Sequence, residues 1–302
     1  MHAIELSNVV KTYAGRRGIE DVSLEVGEGA LFGFIGPNGA GKSTTIRILL
    51  GLIAPTSGSA SLFGVRCDQA RARVSVGYVA GETNLVPGMT VAGFLEYLGS
   101  FHAGDHRRRR RDLAERFELD LGAPTQDLSL GTKRKVALVA ALQHAPRLLV
   151  LDEPTSSLDP VVRSRLFDTL RDEVDEGTTV FFSSHVLTEV ESLCSRVAVI
   201  AHGRIVTLED VTTLRERKIR RVIASFEGGG DSTALHRLAT LLPGVSALER
   251  HGTTVTFSYR GAAPPLLDAL AAASPRDIQI ETPSLEDVFL AEFSREERDH
   301  AS

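Results

Sequence analysis

The sequence predicts an α/β domain over residues 1–215 followed by a small α+β domain over residues 222–295. Three observations carry that prediction. Short, mostly apolar runs (Leu31 to Ile35, Leu148 to Leu151, Val180 to Ser183, Val197 to Ile200) alternate with helical stretches, the pattern of parallel strands buried on both faces. Between about Val91 and Ala145 the pattern is mostly helical, which places a helical subdomain between two core strands. Beyond Val222 the order changes to strand, helix, strand, strand, helix, strand, the split-βαβ or ferredoxin-like pattern.

Bulk properties narrow the classes. The chain has 302 residues, 42% of them hydrophobic, enough for one large core and one small one. A net charge of -5 argues against a general nucleic-acid binder, which carries a basic field. Cys67 and Cys194 fit no metal or redox spacing, and a reducing cytoplasm is the default reading. The start, MHAIELSNVVKTY, lacks the basic and apolar regions of a signal peptide. No run approaches the ~18 apolar residues that would cross a bilayer, so any role at a membrane is expected to come through a partner. Arg107 to Arg111 form a run of five arginines. A phosphate-binding patch is one reading; a solvated helix face is favoured, because Asp112, Glu115 and Glu118 follow at once.

The second domain is built from recognisable pieces. A charged stretch, Leu214 to Arg221, marks the boundary. Then come a strand (Val222 to Glu227), a turn (Gly228 to Gly230), and a helix with Leu235, Leu238 and Leu242 on one face. Two strands follow, Val245 to Glu249 and Thr253 to Tyr259, with His251-Gly252 between them. A helix (Pro265 to Ala273), a strand (Ile278 to Glu281) and a last helix complete the order, the last with Ser284 and Asp287 spaced as a capping box. No residue here suggests chemistry, and a packing, regulatory or dimerisation module is expected.

The chemistry lies in the first domain. GPNGAGKST, running through Gly36, Pro37, Asn38, Gly39, Ala40, Gly41, Lys42, Ser43 and Thr44, fits G-x-x-x-x-G-K-[ST] and sits between the strand Leu31 to Ile35 and a helix over Thr45 to Leu50. Such a loop turns backbone N–H groups toward phosphate oxygens, and the helix adds its positive end. Lys42 is expected to reach the β- and γ-phosphates and Ser43 to bind Mg²⁺. The strand LLVLDEP, Leu148 to Pro154, ends in two acids at the sheet edge where ligands of doubly wound sheets sit. Asp152 is placed to hold Mg²⁺, which suits few carboxylates plus phosphate oxygens. Glu153, on the opposite side if the strand stays extended, is the candidate to activate water. His185 follows the strand Thr179 to Ser184 at the same edge, positioned for a γ-phosphate or water contact. Ser129 and Gly131 precede a helix bearing Val136, Val139 and Leu142. That arrangement is either an anion site or an ordinary N-cap with a turn glycine; alone it favours the latter.

Taken in order, these elements resemble the ATP-binding subunits of ABC transporters over roughly residues 3–210. LSLGT, Leu128 to Thr132, is similar to the family signature, usually LSGGQ, and SSLDP, Ser156 to Pro160, to the D-loop. Tyr13 matches the adenine-stacking aromatic and His185 the switch histidine. The tail PSLEDVFL resembles the branch that pairs with separately encoded exporter permeases. The resemblance implies two chains closing head to tail, with each ATP between Lys42 of one and Ser129 and Gly131 of the other. Hydrolysis, with Glu153 as base, opens the pair and rocks a membrane permease. It implies ATP and Mg²⁺ as ligands and a place on the cytoplasmic face of the membrane. The chain departs from the pattern at Leu130, usually glycine, at Thr132, often glutamine, and at Gly81, where glutamine or glutamate is usual. Glu82 is adjacent and is the candidate to replace that residue as a metal contact. Competing readings fare worse. Translation factors of the family carry two ATPase halves and DNA-repair members long coiled coils; this chain has one P-loop and no heptad run. A P-loop kinase or GTPase would leave Leu128 to Thr132 and His185 unexplained.

Overall fold

The structure is a computed structural model describing residues 2–13, 16–216, 219–226 and 242–281. It divides into two compact units, residues 1–209 and 210–302.

In the first unit, β1 (His2–Tyr13) and β2 (Arg16–Gly27) form a long antiparallel pair. β3 (Leu31–Ile35) leads into α1 (Lys42–Leu49). β4 (Ser57–Leu62) and β5 (Val65–Arg66) extend the first pair into a four-stranded sheet in the order β2-β1-β4-β5. β6 (Val76–Val79) precedes three helices, α2 (Val91–Gly99), α3 (Arg107–Arg116) and α4 (Leu130–Leu142), and β7 (Leu148–Asp152) follows them. The mostly helical stretch read between Val91 and Ala145 therefore lies between two adjacent strands, since β6 pairs with β7 in parallel. Then come α5 (Pro160–Asp175), β8 (Thr179–Ser184), α6 (Leu187–Leu193), β9 (Arg196–Ala201) and β10 (Arg204–Asp210). The second sheet has the order β10-β9-β3-β8-β7-β6.

Every residue of β3, β7 and β8 is buried, as continuous apolar runs in a doubly covered parallel sheet require. Phe181 stacks on Phe32 at 5.9 Å between centroids and tilts on Phe34 at 5.2 Å, tying two neighbouring strands by ring contact. The core continues from these rings through Ile46, Ile48 and Leu49 of α1 to Ile4, Leu6, Val22 and Leu24 of the antiparallel sheet.

In the arginine run, Arg109 pairs with the buried Glu173 of α5, and Arg116 pairs with Asp172 at 2.6 Å. The cationic face of α3 thus serves in part as an anchor onto α5. Burial is the main cause raising the Glu173 carboxyl above its ordinary range, against the pull of Arg109.

In the second unit, α7 (Val211–Glu216) is followed by β11 (Ile219–Ser225), β12 (Val245–His251), β13 (Thr254–Arg260), α8 (Ala263–Ala273) and β14 (Asp277–Glu281). The strands form an antiparallel sheet in the order β12-β13-β11-β14. Val222, Ala224, Val255, Phe257 and Tyr259 are buried with Leu266 and Leu270 of α8. The Gly228 to Gly230 turn, the body of the helix read after it, and the last helix with Ser284 and Asp287 lie outside the described residues.

Candidate active site

The parallel register brings the site together. Ile35 pairs with Ser184, and Asp152 with Ser183, so β3, β7 and β8 end at one edge. The loops that leave this edge carry Gly36 to Gly41, Glu153 and His185.

The phosphate loop is shaped by its glycines. A Cβ at Gly36 would lie 2.2 Å from the Ile200 carbonyl oxygen. Gly41, the N-cap of α1, has φ 113, and a Cβ there would meet Ile19 at 2.6 Å. The helix expected from Thr45 begins earlier, at Lys42, because the Thr45 N–H already donates to the Gly41 carbonyl at 3.0 Å. Lys42 is only 5% exposed. Its Nζ donates to the Gly36 carbonyl at 2.7 Å and the Pro37 carbonyl at 3.1 Å, and pairs with Glu153 Oε1 at 3.2 Å. A polar group so far from water needs such partners.

The acids do not sit as the sequence suggested. An extended strand would send Glu153 to the side opposite Asp152. The strand stops at Asp152, and Glu153 turns into the left-handed region, φ 48. That turn swings its carboxylate toward the other loops, where Oε2 meets His185 Nδ1 at 3.2 Å. One carboxylate therefore bridges Lys42 and His185. Asp152 is buried and accepts a hydrogen bond from Ser183 Oγ at 3.0 Å.

A buried carboxylate braces the loops. Glu189 Oε2 accepts from Thr155 Oγ1 and from Ser184 Oγ, both at 2.9 Å. Ser184 Oγ in turn accepts from the Val186 N–H. Thr155 lies two residues past Glu153, and Ser184 and Val186 flank His185, so Glu189 ties together the two loops that bear the pair.

The helix α4 starts at an N-cap, as expected: Ser129 Oγ accepts from the Thr132 N–H at 3.1 Å. Leu130 is 70% exposed and Gly131 lies against the Ser157 carbonyl, where a Cβ would come within 2.8 Å. Tyr13, at the end of β1, is exposed, with Lys11 over its ring, and its edge rests where Gly18 has no side chain. Ser43 and Thr44 are partly exposed in the first turn of α1.

Glu82 is the site residue the structure leaves aside. It is exposed, and no hydrogen bond or ion pair links it to the cluster among the described residues. Gly81 faces Asp152 instead, since a Cβ there would stand 3.6 Å from Asp152 Oδ2. A second cation at this edge, besides Lys42, is Arg134 of α4. It is buried, and its guanidinium donates to the Ala80 and Gly81 carbonyls. Sequence reasoning passed over Arg134 and Glu189. A signal existed for the first: Arg134, Leu138 and Leu142 share the buried stripe of α4 at i, i+4 and i+8.

A buried P-loop strand, a histidine at the end of the neighbouring strand and two acids at the end of the one beyond it define a nucleotide triphosphatase. The family model described as ABC transporter matches residues 19–156. The chain is 35% identical to the Nod factor export ATP-binding protein I of Rhizobium leguminosarum bv. viciae, over 97% of this chain and 96% of that one. It is 35% identical to the protein of the same name from Cupriavidus metallidurans, over 98% and 99%. Among solved structures, an ATP-binding subunit of an ABC transporter has 28% identity and a TM-score of 0.67, covering 70% of this chain and 92% of its own. A dimeric cassette in a post-hydrolysis state, bound to ADP and Pi, has 26% identity and a TM-score of 0.64, covering 69% and 98%. The chain belongs to the ATP-binding proteins of ABC transporters, and it is an ATP-hydrolysing subunit.

Proposed function

We propose that this chain powers an exporter, through a separately encoded membrane permease, by closing as a head-to-tail pair over two ATP molecules. The observation that carries the reading is the bridge of Glu153 between Lys42 and His185, at 3.2 Å on each side. It sets a general base, a phosphate-binding cation and a polar sensor on one small area at the end of a parallel sheet.

In this reading Tyr13 stacks on the base, and the amides of Gly36 to Thr44 hold the phosphates, with Lys42 neutralising the β- and γ-phosphate charge. Glu153 accepts a proton from the attacking water, and His185 fixes that carboxylate and meets the γ-phosphate. Ser129 and Gly131 of the facing chain close over the phosphate with a helix N-terminus. The donors fit Mg²⁺. Ser43 and Asp152 offer oxygen, as suits an ion that takes few protein ligands beside phosphate oxygens. When bound, Mg²⁺ supplies charge neutralisation to the phosphates.

Export follows from the relatives named as export proteins, matched over nearly their whole length. No helix among the described residues is long and apolar enough to cross a membrane, so the reading requires a membrane partner, which would hold the chain on the cytoplasmic face. The tagged chain, purified from detergent-solubilised membranes of its own cells, should bring down a polytopic membrane protein. Recovery of ribosomes or DNA in its place would overturn the assignment.

A further inference from the structure

We infer that Arg134 is a positioning residue for hydrolysis, the side chain that ties the Ser129-bearing helix to the edge where Asp152 and Glu153 stand. The inference rests on the reading of that edge as the hydrolytic site.

Arg134 is 5% exposed, and burying a guanidinium is unfavourable unless its donors are filled. Two of them are taken by main-chain carbonyls, those of Ala80 and Gly81, just past the end of β6. Those carbonyls have left the strand ladder, and the arginine satisfies them. A planar fork suits two adjacent acceptors in a way a lysine does not. Burial lowers the guanidinium's proton affinity, and the charges of Asp152 and Glu153, with Tyr78, act against that loss.

The placement has a mechanical meaning. Ser129 caps α4, and Arg134 projects from the same helix five residues on. The segment it grips lies beside Asp152, because Gly81 faces that carboxylate with no side chain of its own. A helix offering a phosphate-binding end is thereby fastened to the sheet edge where its own chain's acids stand. Without the fastening, the Ser129 end shifts against the body of its chain, and its placement over the ATP of the facing chain is lost with it. Misplacement of about 1 Å in reacting groups lowers rates on the order of 100-fold.

Arg134→Gln in the full-length chain tests this, with steady-state ATP hydrolysis, fluorescent-nucleotide titration and thermal melting measured together. The expected result is a fall in kcat of about 10- to 100-fold, with nucleotide affinity and KM within about threefold and the melting transition retained. A kcat of the single variant within threefold of the parent overturns the inference, as does a parallel loss of affinity, KM and melting transition. If Arg134→Gln does not fold, Arg134→Lys carries the same test, since it keeps the charge and loses the fork. A parent chain that binds ATP without hydrolysing it would sink the proposed function instead.

Discussion

Glu153→Gln separates the proposed base from everything else the residue does. The carboxylate touches two partners, Lys42 and His185, at 3.2 Å each, and its side chain is 24% exposed. Lys42 keeps its Gly36 and Pro37 carbonyl partners when the charge is removed. The stability loss should therefore sit between the values for exposed and buried pairs, at about 1 kcal/mol. For a unit the size of residues 1–209 that lowers Tm by about 2–4 °C. The effect on chemistry should be far larger. Losing a general base slows turnover by about 10²–10⁴-fold, or about 2.7–5.4 kcal/mol in the barrier. Three assays read these quantities: phosphate release at saturating ATP and Mg²⁺, nucleotide titration, and size-exclusion chromatography with ATP. Phosphate release should collapse while binding persists and ATP-dependent dimers accumulate. Turnover within threefold of the parent would refute the role of Glu153, and so would joint collapse of binding and Tm.

Lys42→Ala should weaken ATP binding by about 10- to 100-fold, the range for one charge-assisted hydrogen bond, measured by fluorescent-nucleotide titration. His144 should make stability fall in acid. Burial, helped by the nearby His102, pushes its imidazole down from 6.5 to about 4, and the two rings stack at 3.6 Å. The unfolded chain takes up that proton first, so the contribution is intact above pH 6.5 and declines toward pH 4, by about 3 kcal/mol in all. His144→Gln should flatten denaturant-derived stability over that window, and an unchanged slope would contradict it. Phe181→Ala, which empties a fully buried site beside Phe32 and Phe34, should cost about 3–5 kcal/mol, read as a lowered urea midpoint.

Much of this site could be read in the chain because its signals are local. Glycines at 36, 39 and 41, a lysine at 42 and an apolar strand before them each constrain their own neighbourhood, and the strand Leu148 to Leu151 announces its burial by composition. Position along parallel strands carried His185 to the same edge as Asp152, because equal strand ends meet when register is in step. What escaped depends on contacts between distant segments or on a single dihedral. The reach of Glu153 turned on φ at one residue, and an alternation argument cannot foresee a strand ending there. Arg134 acts through partners 53 and 54 residues away, and Glu189 joins one 34 residues away to one only five away. Glu82 was chosen for its charge and its place beside Gly81, whereas the backbone presents Gly81, not Glu82, to Asp152.

The backbone at Glu153 has one more implication. A non-glycine residue at φ 48 is held in a twist that costs on the order of 1 kcal/mol, pinned by the Glu153 N–H on the Ser183 carbonyl and the Ser156 N–H on the Glu153 carbonyl. Glycine would relieve that tension and delete the acid in the same stroke. The relief is about as large as the cost of losing the Lys42 and His185 contacts, so the chain gains no net firmness by giving up the carboxylate, and the twist is balanced by the very contacts it makes possible.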